Sequence, residues 1–211
     1  MWVSVRDAVS ILVGGNLGEI GFSVGAGLLS GRPPLSTRQL LLVNFFTDIA
    51  PATAIAIRPP SDLNLESLVR EQTGPFWESL LNRDIAERAL ATTFGAASGW
   101  AVGKLTGSRE RASTIGLAAL VYTQLGQTLT SGGLSAPVLL TGLGSAAALA
   151  AVIQTPGLSH LFGCRPLGPL GWATAIGASA AATGAAVLLP HAAARASVEL
   201  RELAANFLVQ R

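Results

Sequence analysis

The sequence is poor in the residues that carry most familiar chemistry. It has one cysteine, Cys164, so no intrachain disulfide and no cysteine cluster for zinc or copper can form. Its two histidines, His160 and His191, have no Cys or His at metal-ligand spacing and read as loop and interfacial residues. Charge is scarce: Asp, Glu, Lys and Arg make up 12% of the 211 residues, against about 25% in a typical soluble domain. The net charge of +2 comes with arginines scattered along the chain rather than gathered in a stripe, which argues against a nucleic-acid partner. No small-residue cleavage site ends the first apolar segment, as a cleaved signal peptide requires. The glycines around 21–27 lie inside that segment and follow no strand, so they do not form a phosphate loop.

What is abundant is apolar. Half of the residues, 50%, are hydrophobic, and there are 24 glycines. Crossing about 30 Å of hydrocarbon takes roughly 20 helical residues. Six segments qualify, at 3–29, 39–57, 85–105, 113–129, 137–154 and 170–189, which predicts an all-α, polytopic membrane helical bundle with six transmembrane helices. They read as three hairpins turned by GRPPLST (31–37), TGSRER (106–111) and PGLSHLFGCRPLGP (156–169). The loop 58–84 is the long polar connection, with a short amphipathic helix expected around Phe76 to Leu81. The expected domain organisation is one transmembrane unit at 1–190 and an amphipathic cytosolic tail at 191–211. Gly and Ala saturate the later spans, and small residues let helices approach closely in lipid. Trp2, Trp77 and Trp172 sit near span ends as expected of interfacial anchors, whereas Trp100 lies well inside a span. Placing both termini and the 58–84 loop in the cytoplasm puts eight Arg inside and leaves Arg32, Arg38, Lys104, Arg109, Arg111 and Arg165 outside, a slender positive-inside bias.

Two of these spans carry polar groups that a membrane helix bears only at a cost. Asn16 and Glu19 share a face of the first, at i and i+3. Asn44, Thr47 and Asp48 share one on the second, at i, i+3 and i+4, with Pro51 just beyond. Ionisable groups at such depth line ion paths or pair with each other. No Lys or Arg lies at matching depth in either span, so two carboxylates are left wanting a cation or protons. The donors are all oxygen, which suits Ca²⁺, Mg²⁺, Mn²⁺ or alkali ions rather than Zn²⁺ or Cu⁺. Pro51 cannot donate to Thr47, and Gly14, Gly15 and Gly18 are expected to loosen the first span. Unwound backbone adds carbonyl ligands in transporters.

GGNLGEI (14–20), LLLVNFFTDIAPATA (40–54) and Pro59-Pro60 together resemble the fifth and sixth membrane helices of P-type cation-transporting ATPases, the calcium pumps most of all in pattern. The motif match covers about residues 1–60, with the remaining spans falling where the seventh to tenth helices would. The resemblance implies that Asn16, Glu19, Asn44, Thr47 and Asp48 are cation ligands and that the transported ion is Ca²⁺ or another hard cation. Gln124, in ALVYTQLGQTL (119–129), falls where reticulum calcium pumps carry a Glu, as in plasma-membrane calcium pumps, and reads equally as ligand or interhelix glue. The family's Asp-Lys-Thr-Gly-Thr, Thr-Gly-Glu-Ser, Gly-Asp-Gly-x-Asn-Asp and Pro-Glu-Gly-Leu strings are absent. These 211 residues therefore hold no catalytic residues of their own. ATP and Mg²⁺ would act only in a full-length pump, and the expected partners are the lipid bilayer, the transported cation and the amino-terminal part of the pump, in a bacterial plasma membrane. The alternatives are a secondary or proton-coupled cation transporter and a non-functional remnant of a pump gene.

Overall fold

The computed structural model describes residues 2–49, 75–132 and 136–188. All of the regular structure there is helical. Helix α1 spans Trp2–Ser30 and stops at Gly31, whose φ of +68° lies in the left-handed region that favours glycine. Helix α2, Thr37–Asn44, passes directly into a π-helical turn, Phe45–Ile49. Helices α3 (Pro75–Thr106), α4 (Arg109–Gly132) and α5 (Ala136–Gln154) follow, then a short α6 (Pro156–Leu161) and finally α7, Pro169–Leu188.

Helix α4 is the centre of the bundle. Ile115, Leu117, Ala118, Ala119, Leu120 and Val121 are fully buried, so this stretch is enclosed on every face. Helices α1 and α3 pack along each other and α3 packs along α4. Helix α5 lies on α4 through Leu149 and Ile153, and α7 places Ala178 and Ala182 against Gly99 and Gly95 of α3. Phe22 meets Trp100 edge-on, with ring centres 6.4 Å apart, and both rings close over Gly116. Trp172, near the start of α7, stacks on Tyr122 at 6.0 Å. Outward faces carry Leu28, Leu90, Leu140, Leu143, Leu170, Ile176 and Leu188, all exposed, as lipid-facing residues are.

Among the described residues, three helices are long and apolar enough to cross a membrane by length and composition: Ala8–Ser30, Ala136–Gln154 and Pro169–Leu188. Helices α3 and α4 have the length but more polar sequences. Their polar groups turn inward and bond within the bundle: Thr123 to the Ala119 carbonyl at 2.7 Å, Thr128 to the Gln124 carbonyl at 2.9 Å, and Gln127 Nε2 to the Arg88 carbonyl at 3.3 Å. That is the pattern expected where no water can satisfy them.

Several expectations change. The helix foreseen around Phe76 to Leu81 is not separate: α3 begins at Pro75 and runs unbroken into the span, which shortens the 58–84 loop. Pro is well suited to a first turn, and an exposed Arg83–Glu87 pair at 2.7 Å supports the polar extension. The 156–169 connection contains α6 rather than a plain turn. Helix α1 runs straight through Gly14, Gly15 and Gly18, so these glycines do not loosen it. Gly14 and Gly18 instead lie flush against Arg88 and Thr92 of α3, where a Cβ would collide, and Gly15 faces the end of the Gln124 side chain, which a Cβ would approach to 3.2 Å. Among the described residues the main partner of α1 is α3, and α1 meets the second span at the π turn. The far end of the second span, the rest of the 58–84 loop to residue 74 and the 191–211 tail lie outside the described residues.

Candidate cation site

The second span enters its polar stretch under tight control. Ser36 caps α2 by accepting from Gln39 N at 3.3 Å, while Gln39 Oε1 accepts from Ser36 N at 2.8 Å, a reciprocal capping box. Gln39 is 1% exposed. Its oxygen also accepts from Ser113 Oγ of α4 at 2.8 Å, and its Nε2 donates to the Gly163 carbonyl at 3.1 Å. One amide thus pins α2 to α4 and to the α6–α7 loop. From that anchor, Leu42, Val43 and Phe46 bury into the core and set the rotation of the helix.

The π turn Phe45–Ile49 contains Thr47 and Asp48. Such turns insert one extra residue and recur at functional sites. Pro51 lies outside the described residues, but the helix loosens immediately before it. Thr47 is buried, and its hydroxyl lies 3.0 Å from the Val43 carbonyl and 3.1 Å from Asp48 Oδ1. Asn16 of α1 is near enough to Asp48 for its amide to act on the carboxylate. Glu19, 8% exposed, is near enough to Asp48 for the two charges to act on each other. Four predicted residues, Asn16, Glu19, Thr47 and Asp48, are therefore gathered where α1 meets the π turn. Asn44 is exposed at the end of α2, directly before the π turn.

Gln124 is buried on α4 and donates from Nε2 to the Gly15 carbonyl at 3.1 Å. That bond ties α4 to α1 one turn before Glu19. No group of three or more His, Cys, Asp and Glu forms among the described residues, as expected of a site that mixes two acids with amides and a hydroxyl.

Two buried side-chain oxygens have no hydrogen-bond partner among the described residues: Glu19 Oε2 and Thr92 Oγ1. Thr92 sits on α3 against Gly18, adjacent in sequence to Glu19. A helical threonine usually bonds the carbonyl four residues back. For Thr92 that acceptor is Arg88 O, and Gln127 occupies it. Thr92 was not among the residues singled out from sequence, since a threonine in an apolar helix carries no distinguishing pattern.

Electrostatically the arrangement is lopsided. Two carboxylates and the amide and hydroxyl dipoles around them share a low-dielectric junction, where an uncompensated charge is expensive. The charged neighbour that acts on Glu19 is Asp48, a second negative group. Such a cluster is relieved by a hard cation or by protons.

Known proteins resemble this chain over most of its length. The profile described as "Cation transporting ATPase, C-terminus" matches residues 32–189. The chain is 44% identical over 210 residues to "Probable cation-transporting ATPase I" of Mycobacterium leprae (strain TN), covering 90% of this chain and 13% of that protein. It is 45% identical over 209 residues to the protein of the same name in Mycobacterium tuberculosis (strain CDC 1551 / Oshkosh), again covering 90% of this chain and 13% of the relative. A shorter stretch of 73 residues, 34% of this chain and 6% of the relative, is 33% identical to "P-type sodium-transporting ATPase4" of Plasmodium falciparum (isolate 3D7). The chain thus spans only 13% of the length of the mycobacterial relatives it matches. With the helical bundle and the acidic junction of its first two spans in view, the chain belongs to the family of cation-transporting P-type ATPases and corresponds to their carboxy-terminal membrane region.

Proposed function

We propose that the junction of α1 with the π turn binds the transported ion of a P-type pump, with Asn16, Glu19, Asn44, Thr47 and Asp48 as ligands and Gln124 as the residue that holds α1 in place beside them. The cargo is Ca²⁺ or a similar hard divalent cation. The observation that carries this reading is the approach of Glu19 and Asp48 to each other, with Glu19 Oε2 buried and unbonded. A carboxylate oxygen left that way is well matched to an incoming positive charge.

ATP hydrolysis with Mg²⁺ belongs to the amino-terminal part of the pump, which supplies the phosphorylated aspartate and the remaining ligands. Exposed Asn16 and Asn44 mark the side of the site that those helices cover. The end carrying the 58–84 loop faces the cytosol of a bacterial plasma membrane. Phosphorylation in the amino-terminal part alternates the access and affinity of the site, and these residues supply the charge that the ion neutralises.

The test is a full-length pump carrying these 211 residues, reconstituted in vesicles. Cation-dependent phosphorylation from ATP should follow Ca²⁺ and disappear in Glu19→Gln and Asp48→Asn, with expression retained. Normal transport in both variants would refute the assignment. A second reading is monovalent: the name of the Plasmodium falciparum relative supports Na⁺ as cargo. Phosphorylation that responds to Na⁺ and ignores Ca²⁺ would select it. Transport driven by a proton gradient without ATP would point to the secondary-transporter alternative.

A further inference from the structure

At the end of the bundle that carries the α1–α2 and α3–α4 turns lies a cavity of about 400 Å³, lined among others by Arg32, Pro33, Trp100, Lys104 and Arg109. Arg109 Nη2 donates to the Pro33 carbonyl at 3.4 Å and ties the two turns together. Lys104 Nζ stands 4.8 Å from the centre of the Trp100 ring. No Asp or Glu lines the cavity. The acid nearest in sequence, Glu110, is turned toward Arg165 at 3.7 Å. Three cations therefore converge on one hollow without a carboxylate of their own.

The same helix ends present apolar side chains outward. Leu28, Leu29 and Leu105 are 82%, 84% and 87% exposed. Cations at the rim, with bare Leu28 and Leu29 about one turn before Arg32 and bare Leu105 beside Lys104, match an amphiphile that has an anionic head and acyl chains. A free phosphate ion would use the cations and leave the leucines unaccounted for. We propose that the cavity is a binding site for an acidic phospholipid, with the phosphate on Arg32, Lys104 and Arg109 and the acyl chains along Leu28, Leu29 and Leu105. Basic side chains at the membrane surface attract anionic headgroups in general, and here the two tied turns shape a recess for one. This proposal is independent of the cation site and stands or falls separately.

The experiment uses the full chain purified in neutral detergent and titrated with phosphatidylglycerol or phosphatidylcholine of identical chains, read by native mass spectrometry. The wild-type chain should retain one phosphatidylglycerol with a preference of roughly five-fold or more over phosphatidylcholine. Lys104→Gln with Arg109→Gln should bring retention down to the phosphatidylcholine level, while Arg83→Gln, at the opposite end, should leave it unchanged. Millimolar inorganic phosphate should not displace the lipid. Equal retention of the two lipids by the wild-type chain would overturn the proposal, and that measurement needs no variant to fold. Unchanged retention in the folded double variant, or displacement by inorganic phosphate, would overturn it as well.

Discussion

Gly18 and Thr92 touch with no room for a methyl group between them: a Cβ on Gly18 would lie 2.5 Å from Thr92 Cβ and 2.9 Å from the Ala89 carbonyl oxygen. Backbone cannot step aside, so Gly18→Ala has to push α1 away from α3. The expected cost is about 1–3 kcal/mol, the usual range for overpacking, seen as a lower melting temperature in detergent. Gly25→Ala meets nothing within 4 Å and should melt like the parent. Because Glu19 follows Gly18 directly, Gly18→Ala should also weaken cation binding, and Gly25→Ala should not.

Charge and packing separate at the carboxylates. Glu19→Gln and Asp48→Asn keep the shape and remove a charge from a low-dielectric junction. Both variants should be expressed and extracted at least as well as the parent, while cation affinity in the reconstituted pump falls by at least about tenfold per charge lost, equivalent to roughly 1.4 kcal/mol. Thermal stabilisation by added cation, measured by differential scanning fluorimetry, reads the same loss without needing turnover.

At Gln124 two substitutions pull in different directions. Gln124→Ala deletes the 3.1 Å bond to the Gly15 carbonyl and should destabilise by about 0.6–1.7 kcal/mol, the range for interhelical hydrogen bonds in membranes. Gln124→Glu replaces the donor by a carboxylate. A tighter or additional bound cation would show that position 124 reaches the site. A loss equal to that of alanine would show that it only clamps α1.

Alkaline pH should find Cys164. Its thiol is 4% exposed, and burial pushes its pKa above the usual thiol range. The folded state therefore favours the neutral thiol more than the unfolded chain does. That contribution is fully present below the unfolded thiol pKa and is lost as pH rises through the higher folded value. Stability measured from pH 7 to 11 should fall less steeply in Cys164→Ala than in the parent. Maleimide should label Cys164 slowly in the native chain and quickly after denaturation.

The chemistry of the site was easier to read from the sequence than its surroundings. Asn16, Glu19, Thr47 and Asp48 announced themselves because ionisable and amide groups are conspicuous in apolar helices, but their approach to one another is a packing relation between α1 and the π turn that spacing within each helix does not give. Asn44 stands exposed directly before that π turn, and helical spacing assumes a regular turn. The start of α3 was misjudged since hydropathy marks where lipid begins, not where a helix does: ten helical residues precede Ile85. The pairing of α1 with α3 was also hidden. Sequence neighbours usually pack together, but here α1 sets Gly14 and Gly18 against α3, and the surface that fits flush glycines is the one that takes the helix. Thr92 became visible only through the loss of its ordinary acceptor to Gln127, a relation between two helices that no single segment encodes.

Helix α4, enclosed at the centre yet too polar to qualify as a span by itself, bears on how the chain is made as well as how it stands. A segment whose glutamines are satisfied only by neighbouring helices gains little by entering lipid alone. It is joined to α3 through residues 107–108 and packs closely along it, so the two are expected to leave the translocon as one hairpin. A nascent chain halted after residue 132 but lacking α3 should leave α4 accessible to a water-borne thiol reagent at an engineered cysteine, and restoring α3 should protect it. The order of synthesis then becomes part of the design: the pocketed core of the bundle is delivered already wrapped by the helix that precedes it.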